Sequence, residues 1–411
     1  MRALIILALT LPSLSAASTV PTDGLVIQES HSSNERAADG PFDLQRVLDQ
    51  TVAKNRGRGG GVSRVGAPGQ APFFEGASGL ALRSSGTPME TDFTFDIAST
   101  AKAFTGATAL ALYEAGYFDL DDAIGDYLAP HLTHGLLVID GEDLGPTITV
   151  RQALNHTSGL PDYWYDPPYV RPKLEWNQFL VDFYGSPGRF FTPDTLLEYS
   201  RNLYPIGRPG EKYHYGDTGY VLVGLLLETV TGLPLQQVYG DYLYEPLGLT
   251  ETYMPFREEP PSERVESQRF EWRYNMDGKR HQTADWAGGG LVSSTRDLER
   301  FVAGLFEGAL FSNPATLDEM RGWIPTGVPD VWYGLGLFRV KVDGMGEVWG
   351  HDGYGNAWMY WWPQEKLAFT GTLNQALNDW TRMIYRQMSA VRWGNANSTM
   401  TGRRRNLHCL E

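Results

Sequence analysis

The first apolar residues with a clear period lie at 42–52 and recur every three or four positions, which predicts a helix. That helix ends before the Gly-rich stretch at 57–61. Two short apolar runs follow at 61–67 and 72–79, and the Ala-Pro-Gly-Gln stretch at 67–70 between them has the composition of a hairpin turn. The pattern therefore predicts one helix followed by the start of a sheet.

Helical patterns dominate the middle of the chain, and strand-like patterns return near its end. Residues 99–115 are good helix formers with an apolar side, and Gly116 stands where a helix would stop. Residues 117–285 have the pattern of helices and aromatic-rich loops. A closing helix is predicted over 378–393. Before it lie four apolar runs typical of strands, at 332–340, 346–350, 357–362 and 367–373.

This order of elements predicts a mixed α/β protein, of the α+β type, with one sheet whose two halves lie far apart in the sequence. The sheet part comprises residues 41–102 and 286–395, and a helical insertion over 103–285 separates them. Residues 396–411 form a polar tail. We expect a cleft where the sheet part and the insertion meet.

The N-terminal segment has the pattern of a secretory signal peptide over residues 1–17. Arg2 precedes an apolar run that is too short to span a bilayer, and small residues follow at 15–17. The alternative is an apolar N-terminal helix. Residues 18–40 are small and polar and are interpreted as a linker. The expected product is a periplasmic or secreted protein.

Composition excludes several classes of protein. The 411 residues are 42% hydrophobic and 20% charged, which favours a folded globule. The net charge of −15, from 34 Lys and Arg against 49 Asp and Glu, argues against nucleic acid as a partner. After residue 17, no apolar stretch reaches the roughly 18 residues of a membrane span. The single cysteine, Cys409, excludes an intramolecular disulfide and a cysteine metal site.

The first candidate for chemistry is the pair formed by Ser99 and Lys102. A serine and a lysine three positions apart on a helix share one face, so the ammonium can reach the hydroxyl. A neighbouring base or cation is what activates a serine as a nucleophile. The motif also arises by chance, because a capping serine near a solvated lysine has the same spacing. Two further segments favour the catalytic interpretation.

The second segment, Tyr213 to Tyr220, leads into an apolar helix, and the third, Trp349 to Gly355, leads into a strand-like run. With Ser99 and Lys102 they resemble the three signature motifs of the serine β-lactamase and DD-peptidase superfamily. The resembling branch is that of class C β-lactamases, DD-carboxypeptidases, D-aminopeptidases and related esterases. Secondary marks of the same branch lie at 155–160, 288–294, 333–336 and 374.

The resemblance implies a β-lactamase-like fold, with an antiparallel sheet flanked by N- and C-terminal helices and a large inserted helical subdomain. It also implies a role for each motif residue. Ser99 would be the nucleophile and Lys102 its proton partner, while Tyr215 would be a base or a proton shuttle. His351 would stand at the edge strand, where relatives carry Lys or His.

A phenol with its usual pKa near about 10 can act as a base at neutral pH only if cations stabilise the phenolate. Lys102 and a protonated His351 are expected to supply that charge. By the same resemblance, the N–H groups of Ser99 and Tyr354 would form the oxyanion hole. Gly353 would let the backbone approach the substrate closely.

Two positions depart from the family pattern. Asp217 replaces the usual Asn, whose amide donates to an acylamino carbonyl of the substrate. Asp352 replaces a frequent hydroxyl residue that helps to hold a substrate carboxylate. We expect Asp217 to favour the charged form of Lys102, and Asp352 to repel a carboxylate. Substrates with a free amine or a neutral group near the scissile bond are therefore predicted.

Other clusters carry weaker alternatives. His131 and His134 have the spacing of a metal pair, but no third ligand lies nearby, so we expect neither metal nor organic cofactor. His156 is interpreted as structural. The aromatic residues between 163 and 191 either pack the insertion or line the cleft, and packing is the favoured interpretation.

The sequence thus predicts an exported serine hydrolase that cleaves a peptide or amide bond of a small substrate or short peptide through an acyl-enzyme. A carboxylesterase of the same fold is the next alternative, followed by a β-lactamase. A non-catalytic binding protein that keeps the cleft as a recognition surface is the alternative from another class. Oligomeric state stays open.

Overall fold

A computed structural model describes most of the chain. The described residues are 43–54, 59–167, 177–261, 263–271, 274–276, 278–279, 283–354, 357–375 and 381–394. The predicted signal peptide at 1–17, the linker at 18–40 and the tail at 396–411 with Cys409 lie outside them.

The helices of the described residues cluster between the two sheet-forming parts of the chain and at its ends. They are α1 Leu44–Ala53, α2 Ala101–Glu114, α3 Pro130–Thr133, α4 Val150–Leu154, α5 Gln178–Gly185, α6 Pro193–Arg201, α7 Thr218–Thr231, α8 Leu235–Tyr239, α9 Glu245–Leu247, α10 Trp286–Gly289, α11 Thr295–Phe306, α12 Pro314–Met320 and α13 Thr381–Ser389.

The strands form one large sheet and three two-stranded pairs among the described residues. They are β1 Gly60–Gly66, β2 Phe74–Leu82, β3 Thr87–Pro88, β4 Phe95–Asp96, β5 Val138–Ile139, β6 Glu142–Asp143, β7 Phe270–Glu271, β8 Tyr274–Asn275, β9 Val292–Ser293, β10 Ile324–Pro325, β11 Val331–Tyr333, β12 Phe338–Val342, β13 Gly346–Asp352, β14 Ala357–Trp362 and β15 Leu367–Leu373.

The large sheet joins the two ends of the chain. Its nine strands run in the order β10-β11-β12-β13-β14-β15-β1-β2-β3, and every neighbouring pair is antiparallel. The N-terminal strand β1 lies between β15 and β2, with Gly61 opposite Leu373 and Ser63 opposite Gly371. This confirms the expected antiparallel sheet built from halves that are distant in sequence.

The sheet is covered on both faces, which explains why β14 is apolar at every position. Trp358 and Tyr360 belong to the cluster that contains Leu48 of α1 and Met383 of α13. Met359, between them in sequence, belongs to the larger cluster formed with α2, α7 and α11. Side chains of a strand alternate between faces, so a strand covered on both sides has no polar face.

One strand prediction was wrong in detail. The apolar run at 332–340 is not a single strand but β11 and β12, which pair as a hairpin with Tyr333 opposite Phe338. Gly336 has a φ of 96°, in the left-handed region that glycine adopts without strain, and this reverses the chain. The predicted helices at 42–52, 99–115 and 378–393 correspond to α1, α2 and α13.

The side chain of Asn374 connects strands at the centre of the sheet by hydrogen bonds. Its side-chain oxygen accepts from the backbone N–H of Gly60 at 2.8 Å, and its amide nitrogen donates to the carbonyl of Leu80 at 2.9 Å and to the hydroxyl of Ser267 at 3.1 Å. One buried amide thus connects the end of β15 to β1, to β2 and to the segment that leaves the insertion.

Within the described residues, no single helix combines the length and hydropathy needed to cross a bilayer. The pair Thr218–Thr231 and Leu235–Leu247 meets that test only when taken together, and it is bent by 80°.

Candidate active site

Ser99 lies in a tight turn at the start of α2. Residues Ala98–Thr100 form one turn of 3-10 helix, and Ala98 has a φ of 44°, which is unusual for a residue with a side chain. The carboxylate of Asp96 accepts from the N–H of Ala98 at 2.9 Å, and the N–H of Ile97 donates to the carbonyl of Leu291. These contacts hold the turn and place Ser99 at the helix N-terminus, where backbone N–H groups and the helix dipole favour developing negative charge.

Lys102 is fully buried and has an acceptor for each of its three N–H groups. Its Nζ lies 3.2 Å from Ser99 Oγ and 2.7 Å from the carbonyl oxygen of Gly288, and it forms an ion pair with Asp217. The rings of Tyr215 and Tyr220 flank the ammonium, with centroids 5.0 and 5.3 Å from Nζ. In the structure, the Ser99 hydroxyl thus lies within hydrogen-bond distance of the Lys102 ammonium, which is itself paired with Asp217.

Tyr215 places a buried phenol oxygen beside this pair. Among the described residues, no atom meets hydrogen-bond geometry with that oxygen, although Ser99 is near enough for its hydroxyl to oppose the rise in the phenol pKa. Burial, followed by the charge of Asp217, raises the pKa of Tyr215 well above its usual value. A resting phenolate is therefore disfavoured, and of the two roles left open for Tyr215 the proton shuttle fits better.

His351 is buried and neutral, which corrects the expectation of an imidazolium. Its Nδ1 lies 2.8 Å from the carbonyl oxygen of Asp352, so Nδ1 carries the proton, and Nε2 accepts from the hydroxyl of Tyr333 at 3.2 Å. Burial, with the charge of Lys102 as the second cause, lowers the pKa of His351 to about 3. Lys102 is thus left as the cation beside the phenol.

Gly353 brings the end of β13 against the nucleophile turn. A Cβ at this position would fall 2.3 Å from the carbonyl oxygen of Ile97 and 3.0 Å from the Cβ of Ala98. The next residue, Tyr354, is half-buried, and its ring faces the guanidinium of Arg269 at 5.8 Å. The chain therefore passes directly beside the turn of Ser99. An oxyanion hole made by the N–H groups of Ser99 and Tyr354 requires this close approach.

The two unusual carboxylates have partners inside the protein. Asp217 is 8% exposed and pairs with Lys102. Asp352 is 3% exposed, accepts from the hydroxyl of Tyr360 at 2.6 Å, and has a pKa raised to about 7 by burial. The expected repulsion between an Asp352 carboxylate and a substrate carboxylate therefore loses its basis.

Two further acids near Asp217 were missed from the sequence, because neither belongs to a motif. Asp162 accepts from the backbone N–H of Asp217 at 3.1 Å, and burial together with the charge of Asp217 raises its pKa well above the usual value. Asp285, just before α10, has a pKa raised to about 8, chiefly by burial. Of the three acids, Asp217 is the one in ion-pair contact with Lys102.

Three further histidines, His156, His131 and His134, do not add chemistry to the site. His156 packs its ring 4.4 Å from that of Tyr215, and its Nδ1 accepts from the N–H of Gly216 at 3.3 Å. Burial lowers the pKa of His156 well below its usual value, so the ring supports Tyr215 as a neutral group. His131 and His134 lie instead beside the carboxylates of Asp194 and Asp143.

An antiparallel sheet covered by helices on both faces, with a buried lysine against a serine at a helix start, defines the class of this protein. It has the fold of the β-lactamases and penicillin-binding proteins. The chain belongs to the Beta-lactamase family, whose sequence profile matches residues 44–391. The resemblance seen in the three motifs is thereby confirmed.

Individual relatives agree with this assignment. Penicillin-binding protein 4* of Bacillus subtilis (strain 168) is 25% identical over 317 residues, which cover 70% of this chain and 64% of that protein. This chain therefore spans somewhat less than two thirds of that curated relative.

Two solved structures share the fold. The D-stereospecific amidohydrolase from Streptomyces sp. has a TM-score of 0.68 and 27% identity, covering 84% of this chain and 98% of its own. The D-amino acid amidase from Ochrobactrum anthropi SV3, in complex with D-phenylalanine, has a TM-score of 0.70 and 24% identity, covering 85% and 98%. At 24% identity, the second comparison bears on the fold alone.

Proposed function

We propose that this chain is an exported serine amidohydrolase that cleaves a peptide or amide bond of a small substrate through an acyl-enzyme on Ser99. The observation that carries the proposal is the buried contact of Lys102 with Ser99, beside the phenol of Tyr215. The relatives support the choice of bond, since the Streptomyces structure is named an amidohydrolase. The apolar segment at 1–17 supports export.

In the proposed reaction, Ser99 Oγ attacks the substrate carbonyl carbon as the hydroxyl proton leaves toward Lys102. The N–H groups of Ser99 and Tyr354 stabilise the tetrahedral oxyanion. The phenol of Tyr215 then gives its proton to the leaving amine as the C–N bond breaks. A water molecule attacks the resulting ester and releases the acid together with free Ser99.

The side chain at position 217 affects which substrates the site would prefer. An Asn amide would donate to an acylamino carbonyl, whereas the Asp217 carboxylate only accepts hydrogen bonds and is held by Lys102. N-acylated substrates therefore gain no donor here, and we propose that a free amine or a neutral group near the scissile bond is preferred. Asp352 does not bear on this preference, because its carboxyl group is buried and accepts a hydrogen bond from Tyr360.

The decisive experiment compares one amide, one ester and one β-lactam on the purified protein, with Ser99→Ala as the blank. We expect turnover of the amide and the ester, and covalent labelling of Ser99 by a fluorophosphonate, seen as a mass increase of the intact protein. Ser99→Ala should lower kcat by about 10⁶-fold, the scale of losing the nucleophile in serine hydrolases.

Two outcomes would contradict the proposal. A protein that neither turns over substrate nor takes the label, yet binds a ligand in the cleft, would be the non-catalytic binding protein. Substrate selectivity is tested on one amide with its amine free and acylated, and equal or faster turnover of the acylated form would contradict the preference.

A further inference from the structure

The site contains a carboxylate, that of Asp217, which a serine activated by a lysine does not require. The carboxylate is turned toward Lys102 rather than capping its own helix, because Asp217 precedes α7 without forming a side-chain cap hydrogen bond. Its backbone N–H is held by Asp162 at 3.1 Å, which fixes the residue in place. Asp217 is therefore positioned to exchange a proton with Lys102.

Lys102 cannot accept the Ser99 proton as it stands. An ammonium carries three N–H groups and no lone pair, and here all three face acceptors: Ser99, Gly288 and Asp217. It must therefore lose a proton before it can take one. Of the three acceptors, a backbone carbonyl and a neutral hydroxyl are both far too weak as bases, which leaves the carboxylate.

The other groups near the nucleophile are poor acceptors. Tyr215 keeps its proton, because burial and the charge of Asp217 raise its pKa. His351 has a lone pair on Nε2, but this atom already accepts from Tyr333. Asp162 and Asp285 have raised pKa values, with the charge of Asp217 among the causes, so they hold their protons more firmly.

We propose that Asp217 is the terminal proton acceptor of the acylation step, acting through Lys102. An Nζ–H proton of Lys102 passes to Asp217 Oδ1, and rotation of the amine by one third of a turn brings its lone pair to Ser99. The Ser99 hydroxyl proton then passes to Nζ as the Oγ–C bond forms and the carbonyl electron pair moves to oxygen. Lys102 ends as a cation and Asp217 as a neutral acid.

The proton returns when the intermediate collapses. Tyr215 gives its proton to the leaving amine, Lys102 replaces the phenol proton, and Asp217 returns its proton to Lys102. No proton is gained or lost over the acylation, since the hydroxyl hydrogen of Ser99 ends on the amine. This inference rests on the proposed function and adds a base that an Asn at position 217 could not provide.

Ionisable groups from several segments of the fold surround Asp217. The ionisable residues that face it are Lys102, Asp162, Tyr163, Tyr215, Tyr220 and Asp285. Of these groups, Lys102 is the one in ion-pair contact with Asp217, which lies at the start of α7. We therefore expect kcat to fall at acid pH with the protonation of one group.

Asp217→Asn is the test, because the amide is nearly isosteric and is the residue expected in relatives at this position. If Asp217 merely holds Lys102, the amide oxygen still accepts its hydrogen bond, and kcat changes little. If Asp217 takes the proton, kcat falls about 10²- to 10⁴-fold, the usual contribution of a general base, with KM nearly constant. The fall of kcat at acid pH should also disappear in the variant.

The rate of fluorophosphonate labelling gives the same readout without a known substrate. Asp318→Asn is the matched control, since Asp318 is exposed and pairs with Arg321, three positions along the chain. Thermal melting establishes that each variant is folded, and the pH profile of wild-type labelling tests the acid limb even if Asp217→Asn does not fold. Equal labelling of wild type and a folded Asp217→Asn variant overturns the inference alone, whereas an unlabelled wild type overturns the proposed function as well.

Discussion

Gly353 lies so close to Ile97 that a Cβ on the glycine would fall 2.3 Å from the Ile97 carbonyl oxygen. The end of β13 and the turn before Ser99 are therefore in backbone contact. Gly353→Ala should push them apart and lower kcat/KM by about 10²-fold or more, the scale of losing an oxyanion donor. Steady-state kinetics on an ester measures this.

The control for Gly353→Ala is Gly185→Ala, because a Cβ at the exposed Gly185 meets no atom within 4 Å. That variant should retain wild-type kinetics. If Gly353→Ala were fully active and folded, the backbone contact with Ile97 would have no role in holding the oxyanion.

Removal of the Tyr215 hydroxyl should separate substrates by their leaving groups. Tyr215→Phe keeps the ring against Lys102 but loses the proton for the leaving amine, so kcat for amides should fall about 10²- to 10⁴-fold. A p-nitrophenyl ester, whose leaving group needs no proton, should be affected less. Stopped-flow acylation rates for both substrates provide the measurement, with the exposed Tyr117→Phe as control.

Asp352 should make the protein less stable as the pH rises. Its pKa is about 7 in the folded protein and near about 3.9 in an unfolded chain, so the folded state binds its proton more tightly. The stability from this group is fully present below pH ~4 and is lost as the pH rises to about 7. Asp352→Asn should flatten this part of the profile while its amide oxygen still accepts from Tyr360.

Urea unfolding of wild type and Asp352→Asn between pH 4 and 8 measures the difference in the free energy of unfolding. The exposed Asp318→Asn should leave the slope unchanged. Parallel curves for wild type and Asp352→Asn would show that Asp352 ionises normally inside the sheet.

His351 should stay neutral between pH 5 and 8. Nitrogen NMR of histidine-labelled protein should show His351 with its proton on Nδ1 between pH 5 and 8, because Nδ1 donates to Asp352 and burial disfavours the cation. His351→Gln identifies the signal. An imidazolium signal at pH 6 would restore His351 as a source of positive charge for Tyr215.

Asn374 should stabilise the sheet, because its side chain bonds backbone groups of two strands. Asn374→Ala leaves the N–H of Gly60 and the carbonyl of Leu80 without a buried side-chain partner, which should cost about 1–3 kcal/mol for each unsatisfied group. Asn202→Ala, at an exposed position on α6, should cost little. Chemical unfolding of both variants tests the comparison.

Much of the site could be predicted because spacing on regular elements fixes geometry. Ser99 and Lys102 are three positions apart, and α2 places Lys102 Nζ 3.2 Å from the hydroxyl. The motifs around Tyr215 and His351 predicted that these two residues lie near Ser99 and Lys102. The ring of Tyr215 lies 6.2 Å from that of His351, although 136 positions separate them in the sequence.

Protonation states could not be predicted, because they depend on burial that only the folded chain supplies. The sequence shows a histidine at 351 but not the rings of Tyr333 and Phe338 that surround it. The acids at 162 and 285 belong to no motif, and only the fold brings them near Asp217. For the same reason, the run at 332–340 concealed a hairpin that depends on the backbone angle of Gly336.

The position of β1 between β15 and β2 has a consequence for how the chain is made. A polypeptide that leaves the ribosome or a translocation channel with its N-terminus first exposes Ser99 long before residues 350–373 emerge. Until then β1 lacks its partner β15, and Gly353 does not yet lie against the turn at Ile97. A nascent or truncated chain should therefore lack the backbone contact that completes the proposed oxyanion hole.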